Sequence, residues 1–168
     1  MMRAGSQVTA LVAAAVAMGL MAGLFYAFSI AVMPGLARSG DRAFVTAMQQ
    51  INVAILNGWF ALGFAGAPLL TVLAAALHLG AHGRPALPWI VAALVLYGVA
   101  LAITFRVNVP LNDALAAAGE PDRIADLTAV RERFEGRWVR WNAVRAVATT
   151  AALACLAWAL VLHGRHVP

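Results

Sequence analysis

The sequence predicts an all-α integral membrane protein: a four-helix bundle with an amphipathic interfacial helix between spans three and four. Three observations carry this. The chain is 63% hydrophobic and 11% charged, whereas soluble domains run near ~25% charged, and 168 residues cannot bury that much apolar surface in a water-soluble fold. Four uncharged runs, 4–37, 43–83, 85–105 and 146–162, each approach or exceed the roughly 20 residues that cross a bilayer as helix. The one sizeable polar segment lies between the last two runs.

Span one is expected over about 8–32. Arg3 and the small-residue stretch Ala15-Val16-Ala17 resemble a cleavable signal peptide, but the apolar run continues to Pro34, so a retained membrane helix broken at that proline is the better account. Span two is expected over about 53–77, span three over about 88–107 and span four over about 142–162, as one domain without repeats. Cys155, the single cysteine, falls inside span four, where it is a small packing residue. Gly19 and Gly23 in span one and Gly58, Gly63 and Gly66 in span two allow close helix approach, either within the monomer or as a face for an oligomer. Between spans three and four, Glu120-Pro121-Asp122 reads as a helix start. Ile124, Leu127, Val130, Phe134, Trp138 and Trp141 then recur at spacings of three and four. A helix over about 121–139 is therefore expected to lie along the membrane surface, apolar side down, as a roof over one end of the bundle or as a plain connector.

All 12 basic side chains are arginine. With four spans, Arg3, Arg84 and Arg165 share one face, whereas Arg38, Arg42, Arg106, Arg123, Arg131, Arg133, Arg137 and Arg140 fall in the first and third loops. The positive-inside rule then puts those loops in the cytoplasm and both termini outside. Composition alone, rich in Ala and with Arg in place of Lys, suggests a GC-rich bacterial gene and the inner membrane. Nothing in this distribution points to nucleic acid; the partners expected are the lipid bilayer and a hydrophobic small molecule.

Every span brings polar residues to the Arg-rich end. Span one arrives with Tyr26, Ser29 and Met33, span two starts with Gln49 and Asn52 and carries Asn57 deeper, span three ends with Thr104 and Asn108 and runs on to Asn112, and span four leaves with Asn142, Arg145 and Thr149 on one helical face. Arg145 is the most informative of these. An ionised group inside a membrane span costs roughly 2–3 kcal/mol near the centre and normally faces the bundle interior with a partner. Plainer roles are open for each residue: capping around Pro110 for Asn108 or Asn112, interhelical hydrogen bonds for Gln49 and Asn52, belt aromatics for Tyr26, Trp138 and Trp141, snorkelling for Arg145. The joint pattern is stronger than any one of them.

The stretches Gly23-Leu-Phe-Tyr-Ala-Phe-Ser-Ile-Ala-Val-Met-Pro34, Ala47-Met-Gln-Gln-Ile-Asn52, Asn108-Val-Pro-Leu-Asn112 and Trp138-x-x-Trp-Asn-x-x-Arg145 together resemble the anthrone oxygenase-like family of small four-helix membrane proteins. Most members have no assigned function. Many relatives would carry a His after the Asn of span four, where this chain has Ala143. The resemblance implies oxidation of an anthrone to an anthraquinone with O2, without a classical organic cofactor, and it implies fold more safely than activity.

Such a reaction removes a proton from an activated CH2 and holds the resulting enolate on donors, for which Arg145, Asn108 and Asn142 are the catalytic candidates. Tyr26, Ser29, Gln49, Asn52, Thr104, Asn112, Trp138 and Trp141 are the candidate substrate contacts. Asp41 and Asp113 are the carboxylates near this end, each either a base or a counter-ion for Arg145. His78 with His82, and His163 with His166, end spans two and four on the other face at ligand spacing, a weak signal for a metal, and the expectation is no cofactor. P-loop, dinucleotide, zinc-protease and nucleophile-elbow motifs are absent, and no mid-membrane His stands ready for haem. Two classes remain: a membrane oxygenase with a one-sided apolar pocket, or a noncatalytic carrier or complex subunit whose Arg145 cluster binds an anion or stabilises the bundle. The spans are aliphatic in their middles, which argues against a path across the membrane.

Overall fold

The computed structural model describes residues 2–80 and 84–166. Its elements, in order, are α1 (Met2–Ala27), a π turn (Phe28–Val32), α2 (Met33–Ala37), α3 (Asp41–Ala54), α4 (Gly58–Leu77), α5 (Leu87–Ile103), a second π turn (Thr104–Asn108), α6 (Val109–Ala117), a 3-10 turn (Pro121–Arg123) and α7 (Leu127–His166). Four stretches are long and apolar enough to cross a bilayer: Gly5–Ala37, Gly58–Leu77, Leu87–Ala117 and Leu127–Arg165, with mean hydropathy between 1.8 and 2.2. The chain is a multi-pass membrane protein of α-helices, with no strand among the described residues. In the bundle α1 packs on α4 and α7, and α5 packs on α7 and, more loosely, on α4. Its core is mostly small and aliphatic: Leu11, Ala14, Met18, Ala67, Ala74, Ile90, Ala93, Ala152, Leu156 and Ala159 are buried. Small side chains let helix backbones approach closely where lipid gives little drive to association. A Cβ on Gly63 would sit 2.7 Å from Met21 Cε, and one on Gly19 3.8 Å from Leu153, whereas Gly23 and Gly66 have open space.

Two prolines do not break their helices. Pro34 and Pro110 each follow a π turn, and the residue before each, Met33 and Val109, donates its N–H to the carbonyl five residues back, Phe28 and Thr104. A proline ring inside a regular helix clashes with the carbonyl four residues back and lacks a donor for it. Widening the preceding turn moves that carbonyl aside, and the helix continues. The expected break at Pro34 is thereby replaced by a bulge. The real break lies in span two, which starts later than expected: Ile55 and Leu56 leave the helical path, and Asn57, expected deeper, is the exposed cap of α4, accepting from the Phe60 N–H at 3.1 Å. Gln49 and Asn52 thus belong to a separate helix, α3.

The amphipathic segment is not a separate helix over 121–139. Residues 121–123 form only a 3-10 turn, Asp126 caps the next helix through the Ala129 N–H at 2.9 Å, and α7 then runs without interruption for 40 residues. Such a helix is about 60 Å long, twice the ~30 Å hydrocarbon core, and its first turns, through Trp138, pack in a second core with α3. The apolar face read from sequence is buried against protein: Phe134 and Trp138, flanked by Ile124, Leu127 and Val130, pack with Met33, Phe44, Val45, Met48 and Leu115 in a second core. α3 supplies the complementary apolar stripe, which removes the need for lipid as partner. Arg131 fastens this cap. It donates to the carbonyls of Ala37 and Ser39 (2.9 Å each), pairs with Asp41 (3.0 Å) and Glu135 (2.6 Å), and lies 4.5 Å over the Phe44 ring. Arg42 pairs with Asp122 on the same side.

Candidate functional site

Membrane bundle and cap meet at a cavity of about 340 Å³, within the ~300–1,000 Å³ typical of ligand sites. Leu24, Phe25 and Phe28 come from the first span, Gln49, Ile51, Asn52 and Val53 from α3, and Ile55 and Leu56 from the break. Phe60 and Phe64 come from α4, Thr104, Phe105 and Asn108 from the second π turn, Val109, Asn112, Asp113 and Ala116 from α6, and Trp138, Asn142 and Arg145 from α7. Aromatic rings form one wall: Phe60 and Phe64 stack at 5.0 Å, and Phe105 meets Phe64 edge-on at 6.0 Å. Val53 and Leu56 at the rim are 74% and 79% exposed, and Phe105 is 61% exposed, so the rim is apolar. A second, more open hollow of about 520 Å³ between α6 and α7 has, among the described residues, Arg133 as its sole charged wall residue.

At the inner end of the cavity Arg145, 5% exposed, is held by three kinds of contact. One terminal nitrogen donates to Thr104 Oγ1 at 3.2 Å and the other to Asn142 Oδ1 at 2.8 Å. The guanidinium plane lies 4.4 Å from the Phe25 ring centroid and 5.5 Å from that of Trp138. Asn142 is itself fixed, its amide donating to the Phe25 carbonyl at 3.0 Å and to Ser29 Oγ at 2.9 Å. Thr149 reaches back to the Arg145 carbonyl at 2.8 Å. Among the described residues no carboxylate lies within ion-pair distance of Arg145. Three buried atoms on lining residues have no hydrogen-bond partner among them: Arg145 Nε, Asn52 Nδ2 and Asn108 Oδ1. Buried polar groups are almost always satisfied, so two unused donors and one unused acceptor on one cavity leave hydrogen-bonding capacity there for water or a polar ligand.

Eight sequence candidates line this cavity: Gln49, Asn52, Thr104, Asn108, Asn112, Trp138, Asn142 and Arg145. Ser29 supports it from behind through Asn142. Asn112 accepts from the Trp138 indole N–H at 2.9 Å, Asn108 donates to the Trp138 carbonyl at 3.4 Å, and Gln49 donates to the carbonyls of Leu115 and Gly119. Tyr26 and Trp141 do not line it. Tyr26 is 55% exposed on the outer face of its helix, and Trp141 sits one position off the Trp138–Asn142–Arg145 stripe, as helical spacing requires. Asp41 is not a partner of Arg145: Thr128 donates to it and Arg131 pairs with it, and these two, in that order, hold its carboxyl below the usual range. The aromatic wall was missed in the sequence, although Phe60 and Phe64 are four residues apart on one face.

At the far end His78 and His163 pair across helices. His78 Nε2 and His163 Nδ1 are 3.3 Å apart, and His78 Nδ1 bonds the Ala74 carbonyl at 2.7 Å. His82 and the side chain of His166 lie outside the described residues. Among the described residues no group of three or more potential ligands forms.

The anthrone oxygenase family model matches residues 56–155, more than half of the chain. The chain belongs to the anthrone oxygenase family. Within this anthrone oxygenase family member the matched stretch contains Thr104, Asn108, Asn112, Trp138, Asn142 and Arg145 and leaves the Ser29 and α3 contributions outside. Neither curated proteins nor solved structures gave a match.

Proposed function

We propose that this protein is a membrane-embedded oxygenase that takes a planar hydrophobic ketone of the anthrone type into the cavity and oxidises its activated methylene with O2. The carrying observation is the buried Arg145, held by neutral groups and rings, with an unused N–H on the wall of a cavity lined mainly by aromatic and aliphatic side chains. Deprotonation of the methylene drives negative charge onto the ketone oxygen. A fixed cation and N–H donors in a water-poor site stabilise that charge more than water does, because they need no reorganisation as it develops. Family membership supports the same reading. In it Arg145, oriented by its bond to the Asn142 oxygen, holds the oxyanion end, Asn108 and Asn52 read further polar substituents, and the Phe60, Phe64 and Phe105 rings flank the substrate plane. The apolar rim admits substrate from the bilayer. The Arg-rich cap faces the cytoplasm of a bacterial inner membrane with both termini outside, and no organic cofactor is required.

The test is oxygen uptake and quinone formation by the purified, detergent-solubilised protein given emodin anthrone, with and without a chelator. Turnover above the spontaneous rate and insensitive to chelation supports the proposal. Ligand binding without turnover by a folded protein favours the noncatalytic class.

A further inference from the structure

We propose that Asp113 is the general base of this site, an inference that rests on the oxygenase reading. The oxyanion pocket supplies donors and a cation, yet proton removal needs an acceptor. Among the lining residues the polar groups other than Arg145 and Asp113 are amides, one hydroxyl and an indole, none of which takes a proton near neutral pH. Asp113 is the single carboxylate in the lining. The other six acids are elsewhere: Asp41 and Glu135 on Arg131, Asp122 on Arg42, Asp126 at the α7 cap, and Glu120 and Glu132 outside the lining. Asp113 is an exposed lining residue with no hydrogen bond or ion pair to a described residue.

Its placement fits the substrate. Asp113 lies on α6 in the same continuous helix as Thr104, the residue Arg145 donates to. The axial distance between the two positions is on the order of 13 Å, and side chains lean toward the helix N-terminus, here from Asp113 back along the cavity toward Arg145. A ketone oxygen bonded at one end, with the methylene across the ring from it reaching a base at the other, spans about 10 Å with ~3 Å for each contact. Asn108, at the end of the π turn, and Asp113, on the α-helix that follows it, both line the cavity.

The chemistry balances. A C–H bond of the methylene breaks, its proton goes to the Asp113 carboxylate, and the electron pair delocalises onto the ketone oxygen beside Arg145. The carbanionic carbon bonds to O2, reducing it to the peroxide level, and the distal oxygen takes the proton back from Asp113. Asp113 then removes the second hydrogen as a proton while the O–O bond breaks, giving the new carbonyl and a hydroxide that leaves as water with that proton. One O2 is consumed, and CH2 becomes C=O plus H2O.

Proton abstraction can be observed without oxidation. Wild type, Asp113→Asn, Asp113→Glu and, as a carboxylate away from the cavity, Glu132→Gln are compared for exchange of the methylene hydrogens of emodin anthrone in anaerobic D2O, with product-quinone binding measured in parallel. We expect Asp113→Asn to lose exchange and turnover by about 10²-fold or more with quinone affinity kept, Asp113→Glu to retain part, and Glu132→Gln to match wild type. Exchange by Asp113→Asn at the wild-type rate overturns the assignment while leaving the oxygenase reading intact. Absence of exchange above background in wild type overturns both.

Discussion

Arg145→Met isolates the central electrostatic element, because methionine keeps most of the length of the side chain and none of its charge or donors. The structure gives both sides of the effect. On stability, Asn142 Oδ1 loses its donor from Arg145, while the Thr104 hydroxyl still donates to the Ala100 carbonyl at 2.8 Å. One buried acceptor left short costs about 1–3 kcal/mol. Against it stands removal of a buried cation that, among the described residues, has no carboxylate partner, which relieves the cost of keeping that charge out of water. The net change is therefore under about 2 kcal/mol, a Tm shift below roughly 8 °C for a chain of this size. On activity, loss of an oxyanion donor in a water-poor site lowers kcat by about 10²–10³. Arg145→Lys keeps the charge but not the planar fork, and it falls between, at a loss on the order of tenfold. Oxygen uptake and quinone absorbance, corrected for spontaneous oxidation and paired with melting curves in the same detergent, read both quantities. A folded Arg145→Met protein turning over within about threefold of wild type would refute the reasoning.

The geometry makes three further outcomes testable. Pro110→Ala removes the reason for the second π turn; relaxation to a regular helix rotates α6 relative to α5 by about 100°, parts Asn112 from the Trp138 indole and lowers turnover by at least about tenfold without lowering Tm, and full activity in this variant contradicts that role for the bulge. Gly63→Ala is near neutral, since a gain of about 1 kcal/mol in helix propensity offsets displacement of the flexible Met21 end, whereas Gly63→Leu overpacks the α1–α4 contact and costs about 1–3 kcal/mol in thermal or SDS unfolding; equal stability of the Leu variant contradicts the close approach. The carboxyl of Asp41 is held below its ordinary value of 3.8, first by the Thr128 hydroxyl and then by Arg131, so the stability it contributes is present above that value and is lost as pH falls through the lower native one. Asp41→Asn should remove this acid-side slope from the Tm profile, and an unchanged slope contradicts the assignment.

The polar face Asn142–Arg145–Thr149 and the convergence of amides from several helices were legible in the sequence, because helical spacing fixes which side chains share a face and polar groups are rare in apolar runs. So was the apolar stripe from Ile124 to Trp138. Its partner was not, because a stripe that suits a membrane surface suits a second helix equally, and α3 presents Phe44, Val45 and Met48 to it. The π turns were invisible for a related reason: Pro34 and Pro110 signal a disturbed helix, but whether the chain breaks or bulges is decided by the packing on both sides. Tyr26 falls outside the cavity lining because one residue of rotation separates it from Phe25, which lines it. The Phe60, Phe64 and Phe105 wall was hidden among hydrophobic residues that could all have faced lipid. His78 and His163 pair across helices, a relation that spacing along one chain segment does not contain.

The most direct test of the account is the fate of labelled dioxygen. Purified wild-type protein in liposomes, supplied with emodin anthrone under ¹⁸O2, should consume one O2 per quinone formed, faster than protein-free liposomes, with one labelled oxygen in the new carbonyl and the other in water. Quinone formation no faster than in the protein-free liposomes, or accelerated formation in which the new oxygen comes from water, would contradict it.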